Sequence, residues 1–240
     1  MEVIGEGEAE GRGQVEGEAA LVREGEPMHI VISGSNRGIG LEFCRQASAA
    51  GHKVTALCRE ASEELKSLGV EVVEGVDVAA PPSLPDLGVI DWLILNAGIW
   101  RTENLDSLNF ATIEEQFQVN ALGPLRMFEA LRSHVGPGAK VGLMTSQMGS
   151  MADNTSGGRY GYRMSKAALN AAGVSLAHDL RTHGVAVALL HPGYVATDMT
   201  QHMGAITTEE SVRGLFGVME RLTVETSGTF WNYRGEQLPW

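Results

Sequence analysis

The sequence predicts a single α/β domain built on a doubly wound parallel sheet of about seven strands, with helices on both faces. Three observations support this fold class. Short apolar segments recur along the chain, amphipathic segments of helical length separate most of them, and a glycine-rich turn follows the first. Several apolar segments are continuous and do not alternate with polar residues, which is typical of strands buried on both faces.

The predicted strands cover residues 28–32, 53–57, 70–73, 89–95, 141–144, 185–190 and 229–231. A helix is predicted at 38–50, and longer helices at 111–134 and 160–183. Gly184 is placed to close the last of these, because glycine readily adopts the left-handed conformation that ends a helix. We find no internal repeat, and no linker after residue 27.

The first 27 residues differ from the rest of the chain. They carry eight Glu against two Arg, six Gly and no aromatic residue. Such a segment cannot bury enough apolar surface to offset the entropy of ordering it. We therefore expect residues 1–27 to form a disordered acidic tail, and residues 28–240 to form the folded domain.

Composition excludes several classes of function. The net charge of −12 argues against nucleic acid or an anionic membrane as a partner, because both require surplus Lys and Arg. No secretory signal or apolar stretch of membrane-spanning length is present, so we expect a cytoplasmic protein. Cys44 and Cys58 fit small core residues in a reducing compartment, and the seven His show no metal-ligand spacing.

Tyr162 and Lys166 are four residues apart, a spacing that places a phenol and an ammonium on one face of a helix. A neighbouring cation stabilises phenolate, so the sequence predicts that Lys166 lowers the pKa of Tyr162 toward the neutral range. By itself this spacing would more often be a solvated pair than a catalytic one.

A glycine-rich turn lies between the first strand and the first helix. Backbone N–H groups and the positive helix end face this position, and glycine lets a phosphate approach closely. This placement predicts a Rossmann-type nucleotide site formed by Gly34, Ser35, Asn36, Arg37, Gly38, Ile39 and Gly40.

The second strand ends at Cys58 and Arg59, where NAD-binding sites commonly place a carboxylate. Arg37 and Arg59 are predicted to converge there and to favour the 2′-phosphate of NADP through charge-assisted contacts. NAD stays possible, because either Arg could simply be solvated.

Together these features resemble the short-chain dehydrogenase/reductase family over residues 28–240. The matching segments are Leu95-Asn96-Ala97-Gly98, Val119-Asn120-Ala121, Thr145-Ser146 and the loop at 192–197. Residues 153–158, 162–170 and 231–240 are similar to the C-factor and carbonyl-reductase-like branch. The resemblance implies an NADP-dependent oxidoreductase that transfers a hydride between a nicotinamide and a carbonyl or secondary alcohol.

The resemblance also implies residue roles. Tyr162 would be the general acid or base, and Lys166 would bind the nicotinamide ribose and tune the phenol. Ser146 would bind the substrate oxygen, and Asn120 would position a water that links Lys166 to solvent. Further cofactor contacts would come from Asp77, Val78, Asn96, Ala97, Gly98, Pro192, Gly193, Val195 and Thr197.

The sequence departs from the family pattern in two places that concern the site. Leu95 replaces an Asn, which removes a polar group from that turn. Fifteen residues separate Ser146 from Tyr162, more than in most members of the family, so the intervening segment must bring the serine back.

Substrate residues are predicted at the rim of the pocket: Trp100, Met148 and Tyr194, with Met151, Met199 and Met203 nearby. They suggest an apolar or aromatic carbonyl, although they could simply pack under the loop after Thr197. Small residues in the helix after Tyr160, such as Ala168 and Gly173, favour a homodimer or homotetramer, or close packing on the sheet.

Two other functions stay open. One is a nucleotide-bound signalling or interaction protein of the C-factor type with little turnover. The other keeps the fold but performs dehydratase or epimerase chemistry, which the short chain disfavours.

Overall fold

The computed structural model describes residues 27–240, so the predicted acidic tail lies outside the described residues apart from Pro27. Seven parallel strands form one sheet in the order β3-β2-β1-β4-β5-β6-β7. This confirms the predicted doubly wound α/β fold. The strands are β1 (His29–Ser33), β2 (Lys53–Leu57), β3 (Glu71–Val73), β4 (Ile90–Leu95), β5 (Val135–Met144), β6 (Ala186–His191) and β7 (Thr229–Asn232).

In the part of the chain that the structure describes, the sheet is accompanied by six α-helices: α1 (Gly38–Ala49), α2 (Glu63–Ser67), α3 (Phe110–Phe117), α4 (Gly123–Leu131), α5 (Tyr160–Arg181) and α6 (Thr208–Arg221). None of the helices within residues 27–240 is long and apolar enough to cross a bilayer. The sequence analysis gave no range for α2 or α6. Helix α2 is short and is capped by Ser62, whose side chain accepts the Leu65 N–H.

The sheet separates two apolar layers. In β1, Ile30 and Ile32 pack with residues of α1 and α6, whereas Val31 between them packs with residues of α4 and α5. Successive side chains of a strand point to opposite faces, so both faces of this strand are buried. This burial on both faces explains why the strands are continuous apolar segments in the sequence.

The predicted helix at 111–134 is interrupted. A π-helical turn at Gln118–Leu122 separates α3 from α4, and a 3₁₀ turn at Arg132–His134 ends the segment. Pro124 has no N–H to donate to the carbonyl of Asn120 four residues earlier, so the regular hydrogen-bond ladder fails there. Asn120 therefore lies in the π-helical turn.

Two other boundaries differ from expectation by more than one residue. Strand β5 begins at Val135, six residues before the predicted start, and its pairing with β4 shifts register between Ile90 and Trp92. Helix α5 ends at Arg181, and Gly184 follows with φ of 68°, the left-handed conformation predicted for it.

Candidate active site

A cleft of about 670 Å³ opens where the chain leaves the carboxyl ends of β4, β5 and β6. Ligands in open α/β sheets bind at this edge of the sheet. Three of the four residues predicted to be catalytic approach it closely: Ser146 and Tyr162 line the cleft, and Lys166 lies one helical turn beyond Tyr162 on α5.

Tyr162 lies in the first turn of α5 and is buried. Burial raises its pKa to about 12, and a hydrogen bond with Ser146 acts in the opposite direction. The predicted lowering of this pKa by Lys166 is therefore wrong for the protein alone. The phenol is protonated at neutral pH and is suited to donating a proton.

Lys166 is buried, and its ammonium donates to the carbonyl of Met144 at 2.8 Å. Its Nζ lies 5.7 Å from the centre of the Tyr162 ring. Burial lowers the pKa of Lys166 to about 8. The ammonium has three donors, so this contact leaves two for another ligand.

Ser146 follows β5 and begins a 3₁₀ turn at Gln147–Gly149. Its Oγ accepts the Met148 N–H at 3.1 Å, so its own proton stays available for donation. The long segment before Tyr162 does bring the serine back. Gly149 packs so tightly on α5 that a Cβ there would lie 2.8 Å from the backbone carbon of Lys166.

Asn120 is fully buried, and its side-chain amide is occupied by protein groups. The oxygen accepts the Ile99 N–H at 2.8 Å, and the nitrogen donates to the Ile99 carbonyl at 2.9 Å and to Ser165 Oγ at 3.1 Å. The side chain therefore fixes the loop after β4 against α5.

A buried carboxylate holds the start of α5. Glu103 accepts the Gly161 N–H at 3.3 Å and the Gln116 amide at 2.7 Å. A negative charge at a helix N-terminus is favourable, and here it fixes the turn that carries Tyr162. Sequence analysis did not identify Glu103, since a lone Glu in a loop carries no distinctive pattern.

The glycine-rich turn has the tight geometry that its sequence predicts. Gly34 has φ of 69°, and a Cβ there would lie 2.7 Å from Ala97 Cα. A Cβ on Gly40 would lie 2.1 Å from the Gly34 carbonyl oxygen. Only glycine fits at these positions, and they bring β1, α1 and the loop after β4 together.

The N-terminus of α1 lacks the usual anionic or polar cap. Arg37 makes no side-chain capping hydrogen bond, and the first turn holds no acidic residue. The first N–H groups of a helix have no partner within the helix. Those of Gly38, Ile39 and Gly40 are therefore available to an anion, and Ile39 also lines the cleft.

The other predicted cofactor residues surround this turn, mostly through structural contacts. The Asn96 amide donates to the carbonyls of Ser33 and Gly34 at 3.3 and 3.1 Å. Asp77 is exposed and accepts the Ala79 N–H, while Val78 is buried in the apolar layer. A Cβ on Gly98 would lie 3.3 Å from Asn120 Oδ1.

The loop after β6 forms the opposite wall. Pro192, Gly193, Val195 and Thr197 line the cleft. A Cβ on Gly38 would lie 3.4 Å from Thr197 Cγ2, so this loop meets the glycine-rich turn.

The convergence of Arg37 and Arg59 on a 2′-phosphate stays a prediction, and Arg37 has a different partner in this structure. Its guanidinium pairs with Asp198 at 3.0 Å, and both side chains are more than half exposed. The opposite charge of Asp198 attracts this guanidinium across the groove.

The predicted substrate residues Trp100, Met148 and Tyr194 all line the cleft, as do Met199 and Met203. Met151 does not line the cleft; it lies on the segment after the 3₁₀ turn, where the residue is 76% exposed. The Trp100 ring packs against the Tyr162 ring at 4.5 Å between centroids.

Sequence analysis missed the three charged residues of the cleft wall, Arg159, Arg163 and Asp153. Two arginines that flank the tyrosine in an acidic chain were an available signal. His191, the last residue of β6, also lines the cleft, and burial lowers its pKa to about 4.

Comparison with known proteins matches the chain to one family and to named relatives. Residues 28–206 match the family described as short chain dehydrogenase. A 1-hydroxy-2-glutathionyl-2-methyl-3-butene dehydrogenase of Rhodococcus sp. strain AD45 is 41% identical, over 88% of this chain and 99% of that protein. The C-signal protein of Myxococcus xanthus is 45% identical over 64% of this chain and 94% of its own length.

Solved structures also match. The NADPH-bound carbonyl reductase from chicken fatty liver superimposes with a TM-score of 0.81 and 27% identity, over 89% of this chain and 99% of that one.

Proposed function

The chain belongs to the short-chain dehydrogenase/reductase family, and on that premise we propose that it is an NADP-dependent oxidoreductase that interconverts a carbonyl group and a secondary alcohol. Its similarity to C-signal and to carbonyl reductases confirms the predicted branch. Family membership makes it an enzyme that acts on CH–OH or C=O groups with a nicotinamide cofactor. The choice of NADP and the roles of single residues belong to the proposal.

The residues at the glycine-rich turn fit a dinucleotide. The uncapped first turn of α1 offers N–H donors to the phosphates, and Gly34 and Gly40 keep the turn tight. On the other side of the groove, Val195 and Thr197 would hold the nicotinamide amide, and Lys166 would use its remaining donors on the ribose. Bound NADPH supplies the hydride for reduction, and NADP⁺ accepts it in oxidation.

Tyr162 would donate its phenolic proton to the carbonyl oxygen during reduction, and would take that proton back during oxidation. Its raised pKa of about 12 keeps the phenol protonated at neutral pH, so the proton needed for carbonyl reduction is present. Ser146 would donate a hydrogen bond to the same oxygen and stabilise the negative charge that develops there.

Asn120 would act through its backbone. The side-chain amide is occupied by Ile99 and Ser165, so the carbonyl in the π-helical turn is the group left to hold a water. Such a water would connect Lys166 to solvent and replace the proton that Tyr162 donates. Interrupted helices of this kind are frequent at functional sites.

The observation that carries the proposal is the convergence of Ser146 and Tyr162 on one cleft, with Lys166 buried behind them. It is tested by mixing the purified protein with NADPH and a panel of aromatic and aliphatic carbonyls and following NADPH oxidation. We expect turnover with at least part of the panel. Absence of turnover with every carbonyl, and with the matching alcohols and NADP⁺, would contradict the proposal.

We assign the preference for NADP over NAD to Arg59. This residue is exposed just after the carboxyl end of β2, where no carboxylate is present. A guanidinium there favours the 2′-phosphate of NADP. The Arg59→Asp variant should lose preference for NADPH over NADH by about tenfold or more. Arg37 should contribute less, because binding must compete with its ion pair to Asp198.

A second candidate function is signalling, which the identity of 45% with C-signal favours. A signalling protein would bind the nucleotide but would not require turnover. If the protein acts as an oxidoreductase and not as a signal, a Tyr162 substitution that stops NADPH oxidation should also stop its biological effect.

We also propose a homodimer or homotetramer, which light scattering tests. Among the small residues of α5, Gly173 faces the sheet, where a Cβ would lie 2.7 Å from Leu143 Cδ1. Ala171 is exposed and is the small residue free to meet another subunit.

A further inference from the structure

We propose that the cleft binds substrates that carry a carboxylate, and that Arg159 and Arg163 form the site that holds it. The inference rests on the proposed oxidoreductase function and names the substrate class of that same cleft. No residue of this site was singled out by the sequence motifs, so the argument depends on geometry and charge.

The first observation is an excess of positive charge in the cleft of an acidic protein. Arg159 and Arg163 line it, and Asp153 is the only carboxylate among the described lining residues. Within residues 27–240 neither arginine forms an ion pair, whereas Asp153 accepts a hydrogen bond from the Gln147 amide at 2.5 Å. His191 is neutral above pH of about 4, so it adds no charge at neutral pH.

A cleft whose lining carries a net positive charge attracts anionic ligands. The chain as a whole has a net charge of −12, so this local excess does not reflect the composition. It points to an anionic ligand at this end of the cleft.

The second observation fixes how far the charge lies from the reacting group. The Arg159 guanidinium lies 5.3 Å from the centre of the Trp100 ring, and that ring packs on Tyr162 at 4.5 Å. These two contacts place the guanidinium within about 10 Å of the phenol ring. A small substrate with its carbonyl at Tyr162 can therefore reach Arg159 with a carboxylate at its other end.

The third observation is the conformation of Arg159. It has φ of 53°, in the left-handed region that is unfavourable for residues other than glycine, and it follows Gly157 and Gly158 in the same region. Its N–H donates to the Glu103 carbonyl at 2.8 Å, which holds it there. Backbone strain of this kind is concentrated at functional sites, and here it directs a cation over Trp100.

Arg163 supplies a donor without a partner. Its terminal nitrogens donate to the Met148 carbonyl at 3.4 Å and to Ser156 Oγ at 2.9 Å. Its Nε is buried and has no hydrogen-bond partner. That Nε is enclosed by protein, but each terminal nitrogen carries two N–H groups and uses only one, so two N–H donors of Arg163 are left for a carboxylate in the cleft.

The test compares two aldehydes of nearly the same shape, para-formylbenzoate and its methyl ester. NADPH oxidation gives kcat/KM for each with the full-length protein. The quantity of interest is the ratio of the carboxylate value to the ester value. Arg159→Gln is the variant of choice because it removes one cation and breaks no side-chain hydrogen bond. Arg163→Gln would also break the hydrogen bonds to Met148 and Ser156 and disturb the segment at 148–156.

We expect Arg159→Gln to lower this ratio by at least about tenfold, because hydrogen bonds to charged groups are the strong ones. The matched control Arg132→Gln, an exposed arginine in the 3₁₀ turn after α4, should leave the ratio as it is in the wild type. Added salt should lower kcat/KM for para-formylbenzoate more than for the ester, because screening weakens the attraction.

The outcomes separate this inference from the proposed function. If both aldehydes are reduced and the ratio is the same in the wild type and Arg159→Gln, the carboxylate site is wrong and the oxidoreductase function stands. If no carbonyl of any charge is reduced, the proposed function fails and this inference fails with it.

Discussion

The indole ring of Trp100 packs on the phenol ring of Tyr162 with 4.5 Å between ring centroids and 51° between the ring planes. Such an aromatic pair contributes about 0.5–1.5 kcal/mol beyond area burial. Replacing Trp100 by Ala should therefore lower kcat/KM by up to about tenfold, because the phenol loses the wall that orients it. Trp100→Phe should retain most of the activity. If both variants match the wild type in steady-state assays, the ring contact has no role in positioning Tyr162.

Ser146 should affect both rate and pH dependence. Loss of one donor to a developing oxyanion costs about 10²–10³-fold in kcat, and we expect Ser146→Ala to show a loss of this order in carbonyl reduction. The Ser146 hydrogen bond also lowers the pKa of Tyr162. Removing it should shift the pH profile of alcohol oxidation to higher pH, since oxidation needs the phenolate. A variant that loses rate with an unshifted profile would contradict the assigned contact between these two hydroxyl groups.

Lys166 should reduce stability at neutral pH. Its pKa falls from the ordinary 10.5 to about 8 because it is buried. The folded state binds this proton less tightly than the unfolded state, so the cost of burying the charge is fully present below pH 8 and disappears as pH rises toward 10.5.

Lys166→Met should therefore raise the free energy of unfolding at pH 7 by on the order of 2 kcal/mol, after allowing for the lost contact with Met144. The gain should shrink between pH 8 and pH 10.5. Denaturant unfolding of both proteins across this range is the measurement. A variant that is less stable than the wild type at pH 7, or a difference that does not depend on pH, would contradict it.

Substitution of Gly40 by Ala tests the glycine-rich turn, and the same substitution at Gly136 is the control. A Cβ at Gly40 would lie 2.1 Å from the Gly34 carbonyl oxygen, whereas one at Gly136 would meet no atom within 4 Å. Gly40→Ala must move the backbone of the glycine-rich turn, which costs about 1–3 kcal/mol of stability, and should weaken NADPH binding by at least about tenfold. Gly136→Ala should change neither quantity. Calorimetric titration with NADPH and thermal unfolding give both values, and equal affinity of the two variants would argue against a nucleotide at this turn.

The fold was predictable because its signals are local. The strands of a parallel sheet are short apolar runs, and Gly34 and Gly184 mark turns by needing left-handed backbone. The break between α3 and α4 was missed because it depends on one absent N–H at Pro124 within an otherwise helical pattern. The early start of β5 was missed because residues 135–140 have no apolar pattern, and of these only Val135 and Lys140 have partners in β4.

Site residues could be predicted only where they belong to a sequence motif of the family. The convergence of Ser146 with Tyr162 follows from the family resemblance, but Asn120's contacts with Ile99 depend on tertiary packing. The pKa of Tyr162 was predicted in the wrong direction, because spacing indicates the neighbouring ammonium and not the degree of burial. The ion pair between Arg37 and Asp198 could not be predicted, because 161 residues separate them in the sequence.

The proton carried by Tyr162 is the central claim, and the Tyr162→Phe variant tests it most directly. The substitution keeps the ring that packs on Trp100 and removes only the hydroxyl. We predict that kcat for NADPH-dependent carbonyl reduction falls by at least about 10³-fold, within the range that general acid catalysis supplies, while calorimetric titration shows NADPH affinity within about threefold of the wild type. A Tyr162→Phe protein that binds NADPH and reduces the same carbonyl at the wild-type rate would contradict the account.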